Sequence, residues 1–116
     1  MRRQLFNNPQ IKKIAFFSGQ GTEAKAIGEG FQTLSQTRAG QNLMKLTEGM
    51  DYYPGSKAYN WWARLSEVYA KSIPEGSTID VFLNKPSSTG IWLNIEKPIL
   101  QKRGIKIIEH FSNKLD

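Results

Sequence analysis

The hydrophobic and polar positions of this chain follow two periods, one typical of strands and the other typical of helices. Short runs rich in β-branched and aromatic residues predict strands or extended segments at 11–17, 78–83, 91–95 and 105–108. Apolar residues that recur every three to four positions predict helices at 22–34, 37–48, 57–73 and 98–103. Thr22 is the predicted N-cap of the first helix, with the carboxylate of Glu23 in its first turn.

The predicted strands are apolar on both faces and are separated by helices, which is typical of a small, mostly parallel sheet covered by helices. The long helical insert between the first two strands predicts an N-terminal helical half. We therefore expect an α/β (or α+β) fold with a sheet of three to four strands. The chain has 116 residues and no obvious linker or repeat, so 1–116 is expected to be one domain.

The charge balance narrows the class of partner. Sixteen Lys and Arg against ten Asp and Glu leave a net charge of +6, which favours an anionic partner: a nucleic acid, a nucleotide or an acidic protein. No stretch approaches the roughly 20 apolar residues of a membrane span. The first ten residues lack the apolar core of a signal peptide. We therefore expect no membrane partner.

The absence of cysteine and the presence of a single histidine exclude several kinds of chemistry. Disulfide scaffolds, thiol catalysis and Cys-ligated zinc are ruled out, and a site with several His ligands cannot be built. The single His110 is more typical of a structural residue than of a catalytic one. Any catalysis must therefore use carboxylates, hydroxyls, amides and aromatic rings.

Two candidate binding positions come from the first half of the chain. The turn that begins at Phe17 and continues through Ser18 and Gly19 joins a strand to a helix, where backbone N–H groups attract anions. The alternative is a tight connecting turn. In the third helix, Trp62 and Ser66 are four residues apart and share a face, so they could line one wall of a site. The alternative is a tryptophan that belongs to the core.

Two further candidates come from the second half. Glu96 follows the run 91–95, and open α/β sheets bind ligands at the carboxyl ends of their strands. The alternative is a solvated Glu at the start of a helix. The polar loop that contains Thr89 offers hydroxyl and N–H groups to phosphate oxygens, or else is an exposed connection.

Taken in order, five short segments resemble the ADP-ribosyl cyclase / NAD glycohydrolase family. They are 14–18 (IAFFS), 33–40 (TLSQTRAG), 60–70 (NWWARLSEVYA), 79–84 (IDVFLN) and 88–96 (STGIWLNIE). Phe17 stands where the family has Trp, and Ser35 and Gln36 stand where it has an acidic pair. The resemblance spans about residues 14–110 and rests on the shared order of these motifs.

The resemblance implies a ligand cleft between the helical half and the sheet, with roles for seven residues. Glu96 would be the catalytic carboxylate. The nicotinamide of NAD or NADP, which are substrates, would lie against Trp62 and Phe17. Phosphate contacts would come from Ser18, Ser66 and Thr89. Gly19, next to Ser18 in the turn, would also bind the substrate. No cofactor or metal is required, and the missing acidic pair favours hydrolysis to ADP-ribose with at most minor cyclisation.

The small, basic, cysteine-free form is similar to the C-terminal toxin domains of bacterial contact-dependent inhibition and polymorphic toxin systems. This implies a fragment of a larger secreted or surface-delivered protein that acts in the cytoplasm of a target cell. It also implies an acidic immunity protein as partner, and no nucleic acid. Two other classes stay open: a basic RNA-cleaving or nucleic-acid-binding toxin domain, and a non-catalytic interaction module. The module would have Glu96 solvated and no cavity joining it to Trp62.

Overall fold

The structure is a computed structural model that describes residues 13–86 and 90–111. Its strands are β1 (Ala15–Ser18), β2 (Thr78–Leu83) and β3 (Lys106–Phe111). Its α-helices are α1 (Thr22–Gly28), α2 (Arg38–Thr47), α3 (Lys57–Lys71) and α4 (Lys97–Lys102). A 3₁₀ turn (Leu34–Gln36) precedes α2, and a π-helical segment (Trp92–Glu96) runs directly into α4.

The three strands form one parallel sheet in the order β1-β2-β3. Phe16 pairs with Val81 across the first interface, and Phe82 pairs with His110 across the second. Both crossovers carry helices, as parallel neighbours require. The predicted α/β fold with a small parallel sheet is confirmed, with three strands.

The sheet buries apolar side chains on both faces because helices cover each of them. On one face, Phe16 and Val81 belong to the main core, which also holds side chains of α3, the π-helical segment and α4. On the other face, α1 packs against β1 and β2, and Ala26 joins Ala15 and Phe82 in a smaller cluster. β1 and most of the central strand β2 are therefore apolar on both faces. The edge strand β3 differs, because it includes charged residues and all six of its residues are half-buried or exposed.

The predicted strand or extended segment at 91–95 is wrong, because this run is helical and pairs with no described strand. Its β-branched and aromatic residues favour a strand, but burial of Trp92 in the core overrides that preference. In the helical form Trp92, Glu96 and Leu100 all lie on the buried side, four residues apart. Pro98 lacks the N–H that a regular helix uses, and the widened π turn lies immediately before it.

Three boundaries also differ from the prediction. The N-cap of α1 is Gly21 rather than Thr22, whose hydroxyl instead donates to the carbonyl of Gly19 at 2.6 Å. The first helix ends at Gly28, since glycine at 28 and 30 weakens it. The last strand lies further along the chain than predicted and includes His110. None of the described helices is long and apolar enough to span a membrane.

The turn after β1 depends on a glycine at position 19. Gly19 has φ +110°, and a Cβ placed there would lie 2.0 Å from the carbonyl oxygen of Asn84. Gly21 also has a positive φ, +81°, but a Cβ there meets nothing within 4 Å. A glycine is therefore favoured at position 19 by the backbone conformation and by the lack of room for a Cβ. At position 21 it is favoured by the backbone conformation alone.

We expect Gly19→Ala to lower the free energy of unfolding by more than about 2 kcal/mol, because strain and overlap with Asn84 add together. The matched Gly21→Ala should lose only about 1 kcal/mol, from backbone strain alone. Urea denaturation followed by circular dichroism measures both. Equal losses in the two variants would contradict the close approach to Asn84.

Candidate functional site

A cavity of about 510 Å³ opens where β1 ends, between the sheet, α3 and the π-helical segment. Six of the seven predicted site residues line it: Phe17, Ser18, Gly19, Trp62, Ser66 and Glu96. The seventh, Thr89, lies outside the described residues. Three separate regions of the sequence are thus brought to one concave surface, at the carboxyl end of a strand, as expected for open α/β sheets.

Glu96 is the most unusual polar group of this cavity. It ends the π-helical segment rather than a strand, and it is only 7% exposed. Ser66 of α3, itself 3% exposed, is its side-chain hydrogen-bond partner. Burial raises the pKa of Glu96 to about 8, although the hydrogen bond with Ser66 opposes the shift. The Ser66 hydroxyl, predicted as a phosphate contact, therefore faces the carboxyl group.

The two adjacent tryptophans of α3 have different surroundings. Trp62 lines the cavity, and its indole N–H donates to the hydroxyl of Thr47 on α2 at 3.3 Å. Trp61 is 41% exposed, and the ammonium of Lys57 lies 5.7 Å from its ring centroid. The hydrogen bond to α2 fixes the orientation of Trp62. Of the two rings, Trp62 is therefore the one positioned to meet a ligand.

The residues of the first strand and turn have structural contacts as well as a place at the cavity. Phe17 lines the cavity and also packs against the smaller cluster of Ala15, Ala26 and Phe82. Gly19 lines the cavity too, and its close approach to Asn84 explains the glycine at this position without any ligand. A tight turn and a ligand-facing turn are therefore compatible here.

Eleven further residues line the cavity, and four of them carry chemistry that the sequence pattern does not assign to a site. Tyr69 and Trp92 are fully buried core residues that also line the cavity, and periodicity does not separate these two roles. Tyr52 lies in the connection between α2 and α3, and no local pattern marks it as a site residue. Glu23 was noticed only as an acidic residue near a helix start. No local sequence signal connects Glu23 with Glu96.

Glu96 affects both tyrosines of the cavity. Burial raises the pKa of Tyr52, and electrostatic interactions with Tyr59 and Glu96 raise it further. Burial, with a further contribution from Glu96, raises the pKa of Tyr69 well above its usual range. Both hydroxyls therefore stay protonated near neutral pH.

His110 is held on the sheet by two contacts. Its Nε2 lies 2.7 Å from Asp80 Oδ2, and its ring stacks on Phe82 with 4.6 Å between the ring centroids. Both contacts join neighbouring strands, in agreement with a structural role. Within 13–86 and 90–111, no three His, Asp or Glu side chains are grouped so that they could hold a metal ion.

Comparisons of the chain with protein-family models, with curated proteins and with solved structures find no significant match. The geometry and chemistry of the cavity are therefore the basis for a functional assignment.

The raised pKa of Glu96 predicts a specific dependence of stability on pH. Between about pH 4.5 and pH 8 the folded protein retains a proton that the unfolded chain has lost. Stability from this group is thus fully present below pH 4.5 and falls as pH rises, by up to about 1.4 kcal/mol per pH unit. We expect Glu96→Gln to lack this component. Urea denaturation of both proteins from pH 4 to pH 9 tests it, and parallel stability curves would contradict the buried, protonated state.

Proposed function

We propose that this protein is an NAD(P)⁺ glycohydrolase that cleaves the bond between nicotinamide and ribose. The observation that carries the proposal is the position of Glu96, a buried carboxyl group in the same cavity as Trp62 and the turn after β1. The resemblance of the ordered motifs to the ADP-ribosyl cyclase / NAD glycohydrolase family points to the same reaction. A solvated Glu96 with no adjoining cavity, as expected of a non-catalytic module, is not what is observed.

The reaction suits a site with one well-placed carboxylate. The C1′–N bond breaks, and its electron pair passes to the pyridinium nitrogen, so nicotinamide leaves as a neutral molecule without acid assistance. The ribosyl carbon becomes oxocarbenium-like, and ionised Glu96 would stabilise this positive charge. Water then forms the new bond to C1′ and releases one proton, which yields ADP-ribose.

Aromatic side chains of the cavity suit the leaving group. Trp62, held by its bond to Thr47, offers a flat ring face, and Phe17 and Tyr52 lie in the same lining. Such rings attract a planar cation through stacking and cation–π interaction, which weaken once the ring becomes neutral nicotinamide. The same wall would therefore bind the substrate and release the product.

The protonation state of Glu96 links binding to catalysis in this proposal. With its pKa near 8, Glu96 is largely protonated at pH 7 in the empty cavity. A pyridinium cation beside it favours the ionised form, and the Ser66 hydroxyl stabilises that form as well. Substrate binding would thus produce the carboxylate that the reaction needs. In this proposal Ser66 acts on Glu96, in place of the phosphate contact first expected.

The biological context is a further part of the proposal. We propose a toxin domain, delivered into target cells as part of a larger protein and neutralised by an acidic immunity protein. The net charge of +6 supports an acidic partner. Hydrolysis is proposed as the main outcome because Ser35 and Gln36 stand in place of the family's acidic pair. The basic charge and the exposed aromatic side chains, which could stack on bases, also favour an RNA-cleaving domain, so RNA is included in the test.

Incubation of the purified protein with NAD should release nicotinamide and ADP-ribose, identified by chromatography and mass spectrometry. We expect Glu96→Gln to lower kcat by at least about 100-fold, because the neutral amide cannot stabilise the cationic centre. The matched control is Glu67→Gln on the exposed part of α3, which makes the same change from carboxyl to amide and should keep full activity. Full activity in Glu96→Gln would refute the assignment, and RNA cleavage without nicotinamide release would favour the alternative function.

The adjacent tryptophans provide a second test, because the same Trp-to-Ala substitution can be made at a cavity position and at an exposed one. We expect Trp62→Ala to raise the KM for NAD by about tenfold or more, because it removes the aromatic wall. Trp61→Ala, at the neighbouring exposed position, should change KM less than about twofold. Steady-state kinetics measures both. Equal effects of the two substitutions would mean that Trp62 does not contact the substrate.

A further inference from the structure

The sign of the charge inside the cavity is opposite to that of the whole protein. The chain carries a net charge of +6, yet the described residues that line the cavity include two acids, Glu23 and Glu96, and no Lys, Arg or His. A pocket built for phosphate would be expected to present basic side chains. The lining instead combines carboxyl groups with aromatic rings, a combination that suits an organic cation.

Glu23 is held in place by hydroxyl groups of Thr33 and Ser35, at the 3₁₀ turn that precedes α2. It lies in the first turn of α1, and its Oε2 accepts a hydrogen bond from Thr33 Oγ1 at 3.0 Å. Ser35 Oγ donates to the same oxygen. Thr33 is fully buried, and its backbone N–H is bound by the side chain of Gln36. The Glu23 carboxylate is thus anchored on a rigid turn rather than free on the surface.

We propose that Glu23 makes the cavity selective for positive charge, so that it takes a flat N-substituted pyridinium cation and leaves anionic phosphates outside. This inference rests on the proposed function, since it identifies which end of the dinucleotide enters. Glu96 serves the reacting carbon, whereas Glu23 acts as a specificity residue through its field on the bound ring. Two hydroxyl donors hold its carboxylate on the cavity wall, so the charge is in place before the ligand arrives.

The physical basis is the Coulomb interaction in a partly enclosed site. Opposite charges attract more strongly in a partly enclosed site than in bulk water, because the effective dielectric constant is lower, and solvent at the mouth of the cavity reduces this attraction. The same field repels a phosphate or carboxylate that enters the cavity. A cationic ring should therefore bind more tightly than a neutral ring of the same shape, even when no phosphate is attached.

The test uses two small probes that share a ring and a carboxamide: cationic 1-methylnicotinamide and neutral nicotinamide. Isothermal titration calorimetry at pH 7 and low salt gives the ratio of their affinities. We expect the wild type to prefer the cation, and Glu23→Gln to weaken cation binding by about tenfold while leaving nicotinamide binding nearly unchanged. The matched control is Glu29→Gln in the same region, whose carboxylate pairs with Lys25 on the surface. It should keep the wild-type ratio.

Glu23→Gln retains an oxygen that can accept from Thr33 and Ser35, so we expect it to fold, which circular dichroism checks. Glu23→Ala is the second variant, and it should lose the same cation preference. Equal binding of the two probes by the wild type, or an unchanged ratio in Glu23→Gln, would overturn the inference. Cation preference that depends on Glu23 without any nicotinamide release from NAD would support the inference and refute the proposed reaction. Cleavage of NAD with no role for Glu23 in charge preference would do the reverse.

Discussion

The buried hydrogen bond between Ser66 and Glu96 is the interaction on which the arrangement of the cavity depends. It connects the long helix α3 to the π-helical segment, two elements that are distant in sequence and that form adjacent walls. Burying a carboxyl group opposes folding unless the group is protonated or hydrogen-bonded. The protein uses both, because Ser66 is a partner and burial keeps Glu96 largely protonated near pH 7. The apolar packing around it must supply the stability that this group does not.

That packing comes from the aromatic residues behind the cavity. Phe16 of β1 lies 5.4 Å from the ring of Tyr69 and 5.8 Å from that of Trp92, so sheet, α3 and π-helical segment meet at one point. Trp92 and Glu96 occupy the same side of the widened turn, so burial of the indole also places the carboxyl group at the cavity. The same packing therefore forms part of the core and part of the cavity wall.

The fold was predictable where local patterns and tertiary burial agree. The helical spacing of Trp62 and Ser66 placed both on one face of α3, and the apolar strands indicated a parallel sheet. The prediction failed at 91–95, where strand propensity and the actual helical burial conflict. It also missed Glu23, because its position at the cavity depends on hydrogen bonds to Thr33 and Ser35 that only the folded chain brings within reach. Long-range contacts of this kind leave no periodic trace in a sequence.

The protein has a positive net charge but an acidic cavity, and this combination fits the proposed substrate better than a uniform charge would. An NAD molecule carries a positive ring at one end and two negative phosphates near its centre. A net charge of +6 would attract such a dinucleotide as a whole, since long-range steering responds to net charge. In the proposed mode of binding, the short-range field of the Glu23 carboxylate would then determine which end of the ligand enters the cavity. A uniformly basic protein would attract the same molecule but would have no electrostatic means to orient it, and for a reaction at one glycosidic bond the orientation determines whether binding leads to chemistry.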